Sequence, residues 1–174
     1  LTPAWSIRIS RRKEREPVPT FIHRQHPRRV SIRCLREAVN TTLVQEGIRP
    51  RAVEISIALV DDAAMRELNA RYRGKDSPTD VLSFSQEETI RLPGVPRLLG
   101  DIVISVDTAA RQAADAGRRL DDEVCHLAIH GILHLLGYDD ATAEGYAEMV
   151  EKGEQIWRGC RCASTRRRPP RGGT

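Results

Sequence analysis

The chain has 174 residues, 40% hydrophobic and 30% charged, with a formal net charge of +4. That length suits one domain with a core of its own. The composition excludes a collagenous or wholly disordered chain, and no apolar run reaches the roughly 18–20 residues of a membrane-crossing helix. The charge is unevenly spread: residues 1–33 hold nine Lys/Arg and two acids, 155–174 hold six Arg and no acid, and 34–154 hold 13 basic against 22 acidic residues.

In chain order, residues 1–17 (LTPAWSIRISRRKEREP) are charged and broken by proline, which predicts a flexible basic extension. Residues 18–25 suit a short edge strand. Val30, Cys34, Leu35, Ala38, Val39 and Leu43 recur at helical spacing over 30–46, with Gly47 placed to end the helix. VEISIALV (53–60) reads as a strand. Asp61 or Asp62 caps a following helix with Met65, Leu68 and Tyr72 on one face, closed by Gly74. Strands are predicted at 81–85 and 98–105, joined by a polar, proline-containing hairpin loop over 86–97. Asp107 or Thr108 should cap a helix over 108–116. Residues 121–136 (DDEVCHLAIHGILHLL) open on acids that suit a helix N-terminus and are then apolar nearly all round, as in a central buried helix. A last helix runs from Thr142 to about Trp157, with Tyr146, Met149, Val150 and Ile156 on one side. From 158 onward the basic composition predicts a disordered tail. The mixture without strict alternation implies an α+β fold: a small mixed β-sheet packed against helices, with a central buried metal-binding helix.

The four cysteines form no staple pattern, and Cys160-Arg161-Cys162 is neither a zinc knuckle nor a redox pair. Cys125 reads as a small core residue. With no secretory leader evident, a reducing, cytoplasmic setting is expected. The basic ends suit a polyanionic partner, or are plain solvated tails.

The chemistry concentrates in His130-Gly131-Ile132-Leu133-His134-Leu135-Leu136-Gly137-Tyr138-Asp139-Asp140. His130 and His134 share one helix face, with Cβ atoms roughly 5–6 Å apart. Gly137 can turn the chain back, so that Asp140 returns as a third ligand. Two imidazoles and a carboxylate with an open position make a catalytic zinc pattern. The same spacing occurs in metzincin proteases, but those need Glu directly after the first His as general base, and here that residue is Gly131.

The segment HGILHLLGYDD resembles the H-G-x-L-H-L-x-G-Y-D-H motif of the YbeY family of single-strand-specific, metal-dependent endoribonucleases of rRNA maturation and ribosome quality control. LNARYRGKDSPTDVLSF (68–84) and LLGDIVIS (98–105) fit the same family in order, and the likeness covers roughly residues 20–157. It implies a metal-dependent endoribonuclease domain over 18–157, flanked by basic segments at 1–17 and 158–174. The expected substrate is single-stranded rRNA at the 3′ end of the small subunit, the expected cofactor one zinc ion per chain, and the expected partner the small ribosomal subunit, without a membrane.

By this resemblance Arg73 holds the scissile phosphate and His130, His134 and Asp140 hold the metal, although the family's usual third ligand is His. A carboxylate oxygen is a good zinc ligand at about 2.0–2.2 Å, yet it brings harder ions such as Mn²⁺ into question. His126 or Asp139 are alternative ligands, His126 otherwise a packing residue and Asp139 an acceptor for an imidazole N–H. Arg71 and Lys75 are candidate RNA contacts, Ser77, Thr79 and Ser83 further phosphate donors, and Asp101 a supporting residue or an exposed strand end. The seven aromatic residues form no interleaved basic–aromatic stripe, so sequence-specific base reading is not expected. The competing readings are a non-catalytic ribosome-assembly factor with a structural metal and a metzincin-like protease.

Overall fold

The computed structural model describes residues 20–86 and 94–164. The expected N-terminal extension (1–17), the middle of the hairpin loop (87–93) and the end of the tail (165–174) lie outside the described residues. Strand β1 (Thr20–Arg24) leads to helix α1 (Ile32–Gln45), a 3-10 turn at Pro50–Ala52 and strand β2 (Val53–Val60). Helix α2 (Asp62–Arg73), strands β3 (Val81–Ser85) and β4 (Arg97–Ser105), and helices α3 (Val106–Asp115), α4 (Leu120–Leu135), α5 (Ala143–Arg158) and α6 (Arg161–Ser164) follow. No helix among the described residues is long and apolar enough to cross a membrane.

The four strands form one mixed sheet in the order β1-β2-β4-β3. β1, β2 and β4 run parallel, and β3 pairs antiparallel with β4 as the far edge. Alternation along β2 sends Val53, Ile55, Ile57 and Leu59 into the main core, the period-2 signature of a strand with one better-covered face. They pack there with Leu35, Val39 and Leu43 of α1 and Val124, Ala128 and Ile132 of α4. The opposite face is covered by α2 through Met65, which meets Val60, Leu82 and Val103.

Helix α4 is central because ten of its sixteen residues are buried. It touches α1, α3 and α5 as well as β3 and β4. Gly131 lets it approach the sheet. A Cβ there would sit 3.0 Å from both Ile102 Cγ2 and Ser83 Oγ, and Ser83 donates to the Gly131 carbonyl at 3.2 Å.

Two local expectations are corrected, the cap of α3 and the start of the tail, and one is refined on α5. Helix α3 is capped not by Asp107 or Thr108 but by Ser105, whose hydroxyl accepts from Thr108 N and donates to Asp62 Oδ1 at 2.6 Å. On α5, Met149 and Ile156 are buried, whereas Tyr146 is 56% and Val150 44% exposed. Residues 158–164, expected in the tail, are ordered against the body. Arg158 ends α5, α6 follows, and Cys160 and Cys162 are buried with Cys34, Cys125 and Ile156. Glu37 of α1 receives the Arg161 N–H and the Cys162 thiol, so small apolar thiols dock a segment whose composition reads as solvated.

Candidate metal centre

The last turns of α4 carry His130 and His134. Helix α4 closes at Leu136, and Gly137 (φ 96°) turns the chain in a conformation that L side chains rarely adopt. Tyr138 N–H bonds back to the Leu133 carbonyl at 3.1 Å, tying the turn to the helix. The Asp139 carboxylate accepts from Ala141 N at 3.0 Å, and Thr142 caps α5 by accepting from Gly145 N. These bonds hold Asp140 over the two imidazoles.

His130 Nε2 and His134 Nε2 lie 3.1 Å apart. Asp140 Oδ2 is 3.5 Å from the first and 3.4 Å from the second. Among the described residues this is the one group of three or more His, Cys, Asp or Glu side chains able to hold an ion. His134 Nδ1 lies 3.1 Å from the Tyr138 carbonyl and must donate to it, which leaves Nε2 as a lone pair facing inward. A carboxylate oxygen and an imidazole lone pair then converge where neither can supply a proton to the other. A cation would reconcile them, as would an N–H on His130 Nε2 3.1 Å away, and two nitrogens with one oxygen could hold zinc or a harder divalent ion.

His130 is held below the ordinary imidazole pKa first by burial and then by His134. The Asp140 and Asp80 carboxylates pull the other way without prevailing. Its neutral form, the one that ligates, is therefore favoured at neutral pH.

The ligands open onto a cavity of about 730 Å³ whose other walls include Arg73, Lys75, Thr79, Ser83 and Ser85. Arg73 leaves the last turn of α2, just before Gly74 reverses the chain at φ 68°. Asn69, buried on the same helix, donates to the Ser77 carbonyl at 2.7 Å and pins the loop that carries Lys75 and Thr79. Arg73 and Lys75 have no ion-pair partner among the described residues, so both charges face the cavity uncommitted.

Several expected residues stand elsewhere. Arg71 lines a separate hollow on α2 with Arg66, Glu67 and Asp76. Ser77 is absent from the cavity wall, while Thr79 and Ser83 are on it. Asp101, in mid-strand, accepts from Gln86 Nε2 at 3.2 Å and does not line the cavity. His126 packs on Trp157 with centroids 5.0 Å apart and meets the Asp122 carbonyl and Glu154, so it is not among the converging ligands. Asp139 lines the cavity but bonds Ala141; the acceptor for the imidazole N–H is the Tyr138 carbonyl.

Sequence reasoning missed Asp80, whose carboxylate accepts from Val81 N and Gln112 Nε2 beside His130. No spacing links residue 80 to residue 130; only the packing of β3 on α4 does.

Residues 22–161 match the family described as Endoribonuclease YbeY. The Endoribonuclease YbeY of Moorella thermoacetica is 50% identical over 131 residues, which cover 72% of this chain and 83% of that protein. That of Bacillus cytotoxicus is 40% identical over 131 residues, with the same coverage. The solution structure of TM1509 from Thermotoga maritima superposes with a TM-score of 0.54 at 24% identity, covering 88% of this chain and 99% of that one. At that identity it is a likeness of fold.

Proposed function

The chain belongs to the YbeY endoribonuclease family, and from that premise we propose that it is a zinc-dependent endoribonuclease acting on single-stranded rRNA. The observation that carries the reading is the convergence of His130, His134 and Asp140 on one point, in the wall of a cavity that also presents Arg73. The substrate we assign is the 3′ end of small-subunit rRNA, with roles in rRNA processing and ribosome quality control in the cytoplasm. When bound, the ion supplies Lewis-acid polarisation of a phosphoryl oxygen and a water acidified to a pKa of about 7.

The chain's own residues do the rest. The Tyr138 carbonyl fixes the tautomer and orientation of His134. Arg73 offers a planar fork that pairs with two phosphate oxygens and meets the negative charge that builds as the bond breaks. Lys75 and the Thr79 and Ser83 hydroxyls line the path of the neighbouring backbone. Gly131 supplies no general base, and its hydrogen side chain is what the Ser83 and Ile102 contacts leave room for. This removes the proton acceptor that a metzincin-like protease requires.

The test joins metal analysis to cleavage of a single-stranded RNA. The purified chain should hold about one zinc ion, and His134→Ala should lose both metal and cleavage while keeping the far-UV circular dichroism of the parent. Metal-free protein that still cleaves would overturn the site. Bound metal without cleavage would leave an assembly factor with a structural ion.

A further inference from the structure

The metal cavity has a neighbour. A second groove of about 460 Å³ lies between α4 and α5 and shares Asp80, Val81, His130 and Asp140 with the first. A strand of RNA at the metal therefore has two places to put its parts.

The two spaces differ in charge. The first presents Arg73 and Lys75 uncommitted, beside three hydroxyls. Among the described residues that line the second, the only cation is Arg118, which lies 3.4 Å from Glu123, and Glu154 and Asp80 add further negative charge. A phosphate is attracted to the first and repelled from the second. What the second offers instead is an aromatic and aliphatic wall. Tyr146 and Val150 of α5 are large apolar side chains left 56% and 44% exposed, above the buried Met149. An exposed ring at the mouth of a groove is a stacking platform for a base.

The polar atoms of this groove that lack a donor are all acceptors. Gln112 Nε2 donates to Asp80 Oδ2 at 3.0 Å, so the amide oxygen points the other way, and it is buried with no partner. His126 Nδ1 lies 2.7 Å from the Asp122 carbonyl and must donate to it, so Nε2 is a lone pair. It too is without a hydrogen bond and lies 3.3 Å from a Glu154 oxygen, a third acceptor. Such a set is complemented by an amino group.

We propose that the groove between α4 and α5 binds one unpaired base of the RNA strand, stacked on Tyr146, and favours bases with an exocyclic amino group over uracil. This rests on the ribonuclease reading and deepens it: the backbone follows the Arg73 side and one base turns into the acceptor-lined side.

Oligo(C) and oligo(U) of equal length give the cleanest probe, because cytosine carries an exocyclic amine and a ring-nitrogen acceptor where uracil carries a carbonyl and a single ring N–H, so the amine's two donors are what only cytosine offers. Binding is read by fluorescence anisotropy on 2′-O-methyl versions of both, which cannot use the ribose hydroxyl, and cleavage is read as kcat/KM on the RNA versions. The zinc-loaded parent should bind oligo(C) at least severalfold more tightly than oligo(U). Tyr146→Ala should weaken both roughly tenfold, as loss of one stacked base implies, and Tyr146→Phe should restore binding. Glu154→Ala should bring the two oligomers closer together. Equal binding of C and U by the parent, or unchanged binding by Tyr146→Ala, overturns the groove while cleavage leaves the ribonuclease reading intact. Tyr146-dependent, amine-selective binding without cleavage supports the groove and overturns the ribonuclease. Neither binding nor cleavage overturns both. Tyr146 is exposed, so its loss does not threaten the fold.

Discussion

At the scale of single residues, the proposed function gives the metal and the phosphate to different side chains. His134 Nε2 and the Asp140 carboxylate offer acceptors, and the Arg73 guanidinium has nothing but donors. Arg73 stands on α2 and touches none of the three in a hydrogen bond or ion pair, so its removal should leave the metal in place. Arg73→Lys keeps the charge but loses the bidentate fork. We expect Arg73→Ala to keep its zinc, measured by elemental analysis, and to lose roughly a hundredfold in kcat. Arg73→Lys should lie between that variant and the parent. Activity unchanged in Arg73→Ala would remove the phosphate role. His130 and His134 were legible from sequence because one helix imposes their spacing. Asp140 was reachable because Gly137 announces a reversal. Asp80 and the acceptor role of the Tyr138 carbonyl were not, since each depends on how separate segments pack.

The same division appears among the elements. Strand β2 and helix α2 declare themselves through period and caps that lie within a few residues: Asp61 accepts from Ala64 N at 2.8 Å, and Gly74 closes the helix in a left-handed turn. Helix α3 hid its cap because Ser105 also ends β4, and a residue serving two elements is read as belonging to one. On α5 a helical stripe names the residues that share a side, but not which of them are covered; Met149 is buried and Tyr146 is exposed. The close approach of α4 to β3 and β4 depends on the absence of one side chain. A methyl group at residue 131 would press on Ile102 and Ser83 at 3.0 Å, while the Ser83 hydroxyl bonds the carbonyl of the same residue. Gly131→Ala should therefore cost about 1–3 kcal/mol in urea unfolding, as overpacked cores do, despite the better helix propensity of alanine. If the variant matches or exceeds the parent in stability, the sheet and helix have room to move apart, and the gap is not what keeps residue 131 small.

For the whole molecule, a net charge of +4 conceals an acidic body that is expected to cut a polyanion. The structure places Arg73 and Lys75, without an ion-pair partner among the described residues, in the cavity beside His130 and His134, and the carboxylates of Glu123 and Glu154 in the adjoining groove. Residues 158–164 are held differently, by buried thiols together with the Glu37 carboxylate. All four cysteines are buried thiols outside any disulfide, and they gather where α1, α4, α5 and α6 meet. Sequence alone could not show this, because Cys34 and Cys162 stand at opposite ends of the domain. Burial raises the Cys160 thiol to about 11 and drives Cys125 and Cys162 up as well. A thiol whose folded pKa lies above its unfolded value binds its proton more tightly when folded. Its contribution is complete below the ordinary thiol value of 9.0 and is lost as pH rises through that value toward the folded one. The urea midpoint should therefore fall as pH is raised from about 8 to about 10, and the fall should be shallower in a Cys160→Ala, Cys162→Ala double variant, which removes two of the shifted protons while other groups titrate as before. Iodoacetamide at about pH 8 should leave the native thiols unmodified and label all four in urea. Equal pH slopes in parent and double variant would mean that these thiols do not couple the terminal segment to the stability of the body.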